Sequence, residues 1–311
     1  MGKTAFLFPG QGAQYVGMGK DFYETYDVAR RVFEIAKEAT GLDVAELCFT
    51  ENDKLNITEY TQIAMLTTEV ATLKVLESMG YHADITAGLS LGEYGALAAC
   101  GAMELKDLFH VIRKRGIFMQ EAYPVGGAMA AVLGLDAEKI AAVCEETDGI
   151  VSIANDNCPG QIVITGEETA VSRACEKLVE AGARKCIPLK VSGPFHSVLL
   201  TDAGRQLGEV LENVEIRDLK IPYICNVNAS VVEEKSCVKE LLTRQVSSGV
   251  RFRESILKMK EMGVTTFIEI GPGKTLSGFI KKIDKELTTI NIDKVTDLEK
   301  LAQVTGGVDS E

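Results

Sequence analysis

Residues 87–94 spell AGLSLGEY, and this stretch decides the fold that we predict for the chain. It holds the pattern Gly-x-Ser-x-Gly around Ser90, which is typical of a sharp strand-to-helix turn that exposes a serine hydroxyl. We expect Gly88 and Gly92 to suit this turn because they have no Cβ to collide with the crossing helix and because glycine tolerates unusual backbone angles. A short strand candidate at 84–87 precedes the turn, and an Ala-rich, helix-prone segment at 93–100 follows it. On this stretch alone two hypotheses stay open: Ser90 is a nucleophile, or it is an ordinary cap of the following helix.

The composition is that of an ordinary globular protein, because 46% of the 311 residues are hydrophobic and 25% are charged. This length suits one large α/β domain or a main domain with a smaller insert. The early apolar run at 5–8 stops at Pro9-Gly10, so we predict neither a signal peptide nor a membrane-spanning helix, and we expect a cytoplasmic protein. The net charge of −12 disfavours nucleic-acid binding.

The eight cysteines are scattered along the chain. They form no C-x-x-C pair and have no histidine nearby, which disfavours metal ligation. We therefore predict reduced, buried thiols and no metal site.

Apolar and helical patterns alternate in an order that predicts an α/β fold. Before residue 126 the predicted elements are a strand (4–8), two helices (26–39 and 61–79), a strand (84–87) and two helices (93–100 and 105–120). After residue 192 they are a helix (202–211), a strand (221–226), two helices (237–246 and 254–262), a strand (266–270) and a helix (274–282). The first and last thirds of the chain are thus predicted to share one sheet.

The middle of the chain has a different order of elements. It reads strand, helix, strand, strand, helix, strand, at 128–133, 137–146, 150–154, 161–165, 168–181 and 185–189. This βαββαβ order is that of the ferredoxin-like split βαβ unit, and residues 155–160 supply the predicted turn between its middle strands. We predict a small subdomain at 126–192, inserted into a main domain made of 1–125 and 193–311, whose polar last residues fray.

A nucleophilic serine needs a base, and the chain has three histidines. His82 lies in a polar segment that predicts a solvated loop, and His110 lies in a helical pattern that predicts half-buried packing. His196 lies in a Gly-Pro loop (191–197, VSGPFHS) where the chain returns from the insert, which favours it as the functional histidine. The sequence itself does not place His196 beside Ser90.

Several motifs together carry a resemblance to a known family. They are 8–14 (FPGQGAQ), 88–94 (GLSLGEY), 115–116 (RG) with 119–120 (MQ), 157–161 (NCPGQ), 193–197 (GPFHS) and 269–273 (EIGPG). In this order and over nearly the whole length, the chain resembles the malonyl-CoA:acyl carrier protein transacylases of fatty acid synthesis and the acyltransferase domains of polyketide synthases. The resemblance implies a hydrolase-like α/β domain with a ferredoxin-like insert.

The resemblance also implies roles for particular residues. Ser90 would attack the malonyl thioester and carry the acyl group, and His196 would act as its base. The backbone carbonyl of Gln245 would orient the histidine, and the backbone N–H groups of Gln11 and Leu91 would form the oxyanion hole. For Leu91, the residue after the serine, the elbow geometry predicts the same role.

A substrate pocket is implied as well. Arg115 would bind the free malonyl carboxylate, because a planar guanidinium can hold a carboxylate through two parallel hydrogen bonds. Without the resemblance, Arg115 would be taken for a solvated helix residue. Gln62 and Asn157 also match positions near the pocket, although ordinary turn or cap roles are the alternative for both.

The chain departs from the family pattern at two positions. Leu89 stands where the family commonly has histidine, which affects the polarity of the pocket, and Ile63 stands where it commonly has proline. Phe195, before the histidine, is the residue that family members choosing malonyl tend to have, so the resemblance favours malonyl over methylmalonyl selection.

The implied activity is transfer of malonyl from malonyl-CoA to the phosphopantetheine thiol of acyl carrier protein through a malonyl-serine, supplying fatty acid synthesis. No metal or redox cofactor is implied, and neither nucleic acid nor membrane is an expected partner. Three alternatives stay open: a freestanding acyltransferase of a polyketide synthase, a serine thioesterase or hydrolase, and a noncatalytic module that docks carrier protein.

Overall fold

The computed structural model describes residues 2–191 and 193–305. Ser192, where the predicted insert ends, and the predicted frayed tail beyond Thr305 lie outside the described residues. The strands are β1 (Lys3–Phe8), β2 (Ile85–Gly88), β3 (Gly127–Leu133), β4 (Val151–Cys158), β5 (Gln161–Glu167), β6 (Lys185–Pro188), β7 (Tyr223–Ile224), β8 (Val231–Val232), β9 (Val264–Ile270) and β10 (Thr288–Ile292).

The helices surround these strands. They are α1 (Lys20–Thr25), α2 (Asp27–Thr40), α3 (Val44–Phe49), α4 (Thr58–Ser78), α5 (Gly92–Ala99), α6 (Leu105–Ala122), α7 (Ala137–Glu145), α8 (Glu168–Glu180), α9 (Thr201–Glu212), α10 (Val238–Gln245), α11 (Phe252–Glu261), α12 (Thr275–Ile283) and α13 (Leu298–Thr305). None of the helices in the described ranges is both long and apolar enough to cross a membrane.

The larger sheet has the strand order β10-β9-β1-β2-β7-β8 and is parallel apart from the antiparallel β7–β8 pair. Strand β1 lies at its centre, and the run from Ala5 to Phe8 is entirely buried, as expected of a parallel strand covered on both faces. The first and last parts of the chain share this sheet, so the predicted α/β fold class is confirmed.

The smaller sheet is antiparallel, with the order β4-β5-β3-β6. Helices α7 and α8 pack on it around their own apolar core. Asn155 in β4 bridges to Val250 of the larger unit, and Arg253 forms an ion pair of 2.9 Å with Asp156. The edge of the small sheet therefore lies directly against the main sheet unit.

The sequence-based prediction of elements was wrong in several details. Strand β4 continues to Cys158 through two irregularities, which leaves only Pro159-Gly160 as the turn where 155–160 had been predicted. The predicted strand at 221–226 is only two residues long, and these two residues pair with β2 on one side and with the two-residue strand β8 on the other. Five elements had no prediction: α1, α3, β8, β10 and α13. Each is short, so its periodic signal is weak.

Two glycines allow the elbow to pack tightly. A Cβ on Gly88 would lie 2.0 Å from the backbone carbonyl carbon and oxygen of Gly92, and a Cβ on Gly92 would lie 2.1 Å from the carbonyl oxygen of Phe8. Neither glycine has a positive φ. The expectation that both glycines leave room for a closely packed backbone is therefore confirmed, whereas the expectation that they provide unusual backbone angles was wrong.

We predict that Gly88→Ala lowers the free energy of unfolding by about 3 kcal/mol or more, because backbone atoms cannot yield to the new methyl group. The control is Gly278→Ala in the exposed face of α12, where an added Cβ meets nothing within 4 Å. Because alanine favours helix, this control should gain about 0.5–1 kcal/mol. Urea unfolding measures both, and equal stability of the two variants would contradict this account of the elbow.

Candidate active site

Ser90 occupies the tip of the elbow between β2 and α5. Its φ is 56°, in the left-handed region that few residues other than glycine adopt, so the serine itself carries the strain of the turn. Its backbone N–H donates to Asn226 Oδ1 at 2.7 Å, and Asn226 Nδ2 donates to the Gly88 carbonyl at 2.7 Å. One asparagine side chain thus holds the backbone on either side of the bend.

His196 lies against this serine. Its Nε2 is 2.7 Å from Ser90 Oγ, and its Nδ1 is 3.0 Å from the carbonyl oxygens of both Gln245 and Ser248. Carbonyl oxygens only accept, so Nδ1 carries the proton and Nε2 is left to accept from the serine hydroxyl. The sequence suggested Gln245 for this role, and Ser248 is a second acceptor that it missed.

The other histidines lie elsewhere. His82 is exposed in the loop before β2, as its polar surroundings suggested, and lies apart from the cleft that contains Ser90. His110 is exposed on α6, so the prediction of half-buried packing was wrong, since the apolar face of that helix is formed by its neighbours in sequence.

The environment of His196 keeps its ring neutral. Burial, followed by the positive charge of Arg115, lowers the pKa of His196 from 6.5 to about 4, although the two hydrogen bonds to carbonyls act in the opposite direction. Above about pH 5 the ring is therefore unprotonated and able to accept a proton.

Arg115 is a cation in the protein interior, only 1% exposed. One Nη donates to Gln62 Oε1 at 2.7 Å, and the other donates to Gln245 Oε1 at 2.9 Å and to Ser90 Oγ at 3.2 Å. Within the described ranges its side chain pairs directly with no carboxylate, and its Nε has no partner. Burial lowers the pKa of Arg115, but an arginine keeps its charge at neutral pH.

These side chains meet in a cleft of about 180 Å³ between the two sheets. Its lining includes Gln11, Leu91 and Asn157, so the cleft brings together the residues for which the resemblance implied oxyanion and pocket roles. Asn157 is 5% exposed, and its Oδ1 has no partner among the described residues. The remaining lining is mostly apolar, with Leu89, Met119, Met129, Val163, Val191, Phe195 and Phe279.

A buried carboxylate, which the sequence analysis did not predict as part of the site, lies behind the cleft. Glu93 is 0% exposed, and its Oε2 accepts from Gln245 Nε2 at 2.6 Å and from the Asn226 backbone N–H at 3.1 Å. Burial raises the pKa of Glu93 to about 7, and the bonds from Gln245 and Asn226 and the charge of Arg115 counteract part of this effect. Glu93 and Asn226 connect the elbow to the segment that contains Gln245.

A weak signal for both residues exists in the sequence. Glu93 is an acid inside an Ala-rich helix that otherwise reads as buried, and Asn226 follows the carboxyl end of a parallel strand, where ligand sites of α/β sheets collect. Ser248 offers no comparable signal, because only its backbone carbonyl is used.

Cysteines, histidines and acids are the residue types that could form a metal centre. All eight cysteines are free thiols, five of them buried and three half-buried. In the part of the chain that the structure describes, no three residues among His, Cys, Asp and Glu are grouped closely enough to hold a metal ion.

Comparison with known proteins places this geometry in a family. The family model described as "Acyl transferase domain" matches residues 5–300. The malonyl CoA-acyl carrier protein transacylase of Bacillus subtilis is 49% identical over 308 residues, covering 97% of each chain.

Solved structures agree. The malonyl CoA-acyl carrier protein transacylase of Clostridium perfringens superposes with a TM-score of 0.94 at 45% identity, covering 98% of each chain. A malonyl-transacylase solved in complex with a type II polyketide synthase acyl carrier protein gives a TM-score of 0.94 at 36% identity, covering 98% of this chain and 100% of that one. The resemblance inferred from the motifs is thereby confirmed, and the chain belongs to the acyl transferase domain family.

Proposed function

We propose that this protein transfers a malonyl group from malonyl-CoA to the phosphopantetheine thiol of acyl carrier protein through a malonyl-Ser90 intermediate, supplying extender units for fatty acid synthesis. The observation that carries the proposal is one cleft holding a serine with its base at 2.7 Å and a buried guanidinium 3.2 Å from the same hydroxyl. A serine and histidine alone suit many acyl transfers. The buried cation adds selection for an acyl group that ends in a carboxylate.

The first half-reaction forms the acyl-serine. His196 Nε2 takes the hydroxyl proton as Ser90 Oγ bonds to the thioester carbonyl carbon, and the backbone N–H groups of Gln11 and Leu91 stabilise the oxyanion. The C–S bond then breaks, and the imidazolium returns the proton to the leaving CoA sulfur. The carbonyls of Gln245 and Ser248 hold the ring through both proton transfers.

The second half-reaction runs the same steps with the carrier thiol. His196 takes the thiol proton, the sulfur attacks the malonyl-serine ester, and Ser90 Oγ leaves with the proton from His196. Ser90 and His196 supply the nucleophile and the base, so the proposed reaction includes no metal or redox cofactor. The free thiols fit a reducing compartment, which supports the proposed cytoplasmic location.

Two specific points concern alternative functions. One structural match is a transacylase bound to a polyketide carrier protein, so a freestanding polyketide acyltransferase is the second candidate. Comparing transfer rates to carrier proteins of fatty acid and polyketide synthesis would distinguish the two functions. A serine hydrolase has no need for a buried cation beside its nucleophile, which disfavours that alternative.

The experiment that tests the proposal follows the intact mass of the protein. Mixed with malonyl-CoA, it should gain one malonyl group, keep that group in water and lose it to an added pantetheine thiol or holo acyl carrier protein. The control Ser90→Ala should gain nothing. An adduct discharged by water would indicate a hydrolase, and no adduct would contradict the proposal.

We predict that Arg115→Ala loses about 1.5–3 kcal/mol in kcat/KM for malonyl-CoA, roughly tenfold to 150-fold, while acetyl-CoA use is kept or improved. The matched control is Arg113→Ala on the same helix, whose guanidinium pairs with Glu59 at 2.7 Å and is not among the residues that line the cleft around Ser90. Arg113→Ala should leave the preference for malonyl unchanged. An unaltered preference in Arg115→Ala would remove Arg115 from the pocket.

We predict that the His196 ring does not titrate between pH 8 and pH 5.5. Its pKa of about 4 lies below the ordinary 6.5, so the neutral base persists throughout this range. Ring-nitrogen NMR of the three histidines measures this, with His196→Gln identifying the signal. Because Arg115→Ala removes a nearby cation, it should raise the midpoint, and a midpoint near 6.5 in the unaltered protein would refute the argument.

A further inference from the structure

The side-chain amide of Gln245 has two chemically different ends, and the structure uses both. Its Oε1 accepts from Arg115 at 2.9 Å, while its Nε2 donates to Glu93 Oε2 at 2.6 Å, to the Ser90 carbonyl at 2.9 Å and to Asn226 Oδ1 at 3.3 Å. A flipped amide has the same shape, but it would direct an NH₂ group at the Arg115 guanidinium. The orientation of this amide therefore decides whether Arg115 has an acceptor on that side.

Glu93 is the strongest determinant of that orientation. It is the only one of the three acceptors on Nε2 that is a carboxylate, and its bond is the shortest. It is completely buried, and among the described residues it forms no ion pair, so its hydrogen bonds go to Gln245 and to the Asn226 backbone. A flipped amide would place Oε1 against this carboxylate, which is repulsive.

Glu93 does not contact the cleft itself, whose lining residues exclude it. Its carboxylate is connected to Arg115 through two hydrogen bonds. Gln245 Nε2 donates to Glu93, and Arg115 donates to Gln245 Oε1. The backbone carbonyl of Gln245 separately holds His196, so the side chain can lose its orientation while the base keeps its own.

We infer that Glu93 is a positioning residue for acyl selection: by fixing the Gln245 amide, it holds the Arg115 guanidinium in the position that receives the free carboxylate of the acyl group. This inference rests on the proposed function, because it concerns selection of malonyl over uncharged acyl groups. It assigns Glu93 a role in selectivity, separate from the strength of the nucleophile.

The test compares Ser90 acylation by malonyl-CoA and by acetyl-CoA, followed by intact mass in single turnovers. Glu93→Leu should lower the malonyl-to-acetyl rate ratio by about tenfold, the scale of one charge-assisted hydrogen bond. Gln245→Leu keeps the backbone carbonyl and should lower the ratio similarly. The double variant should lose no more than Gln245→Leu alone, because both substitutions break the same path.

A second test measures the pH dependence of the same malonyl-to-acetyl rate ratio, starting with the unaltered protein. In the unaltered protein the ratio should fall as the pH falls from 8 to 6, because protonation of Glu93 removes its charge, and in Glu93→Gln the ratio should not change with pH. The other ionisable groups that act on Glu93 or Arg115 keep their charge state over this range: Arg115 on α6 is a cation, His196 is neutral, and burial raises the pKa of Tyr94, Tyr223 and Cys225.

The outcomes separate the inference from the proposed function. If the unaltered protein forms no malonyl-serine, the proposed function fails and the inference fails with it. If malonyl-serine forms but Glu93→Leu slows both donors equally, Glu93 is only structural and the inference alone is overturned. If Glu93→Leu does not fold, Gln245→Leu carries the test, and an unchanged malonyl-to-acetyl ratio in that variant overturns the inference equally.

Discussion

The site depends on one buried positive charge. Arg115 cannot be left without acceptors in the interior, and the chain provides neutral oxygens from Gln62, Gln245 and Ser90. Burial, and after it the same charge, lowers the pKa of His196, so the base stays ready to accept a proton. A carboxylate that enters the cleft can pair with the guanidinium directly, which neutral oxygens cannot do. Selection and catalysis thus share one electrostatic arrangement.

Backbone strain is the second constraint. Ser90 and His196, the two residues that exchange the proton, both have φ near 60°, a conformation that costs free energy for residues with a Cβ. Packed glycines and the Asn226 side chain hold the serine side of this pair, and the carbonyls of Gln245 and Ser248 fix the histidine ring. The strained conformations of the dyad are therefore supported by contacts from three segments of the chain.

The sequence predicts those features of the fold and site that depend on short stretches of the chain. The Gly-x-Ser-x-Gly turn, the α/β order and the βαββαβ section each follow from patterns within a few tens of residues. Contacts between residues that are distant in sequence do not follow from such patterns, so only the family resemblance suggested that His196 and Arg115 meet Ser90. Glu93 stands inside the most informative motif, but its function depends on Gln245, 152 residues away. The close approach at Gly88 and Gly92 could be predicted from the motif, but the backbone angles could not, because Ser90 rather than either glycine adopts the left-handed conformation.

The most direct test of the central claim is a crystal structure of the protein with malonyl on Ser90. The account predicts that the free carboxylate lies within hydrogen-bond distance of both Arg115 Nη atoms and that Gln245 Oε1 still faces the guanidinium. It also predicts that the carbonyl oxygen of the ester accepts from the N–H groups of Gln11 and Leu91. A carboxylate directed to solvent, with Arg115 bonded to the same neutral oxygens as before, would contradict the claim that this buried charge selects the substrate.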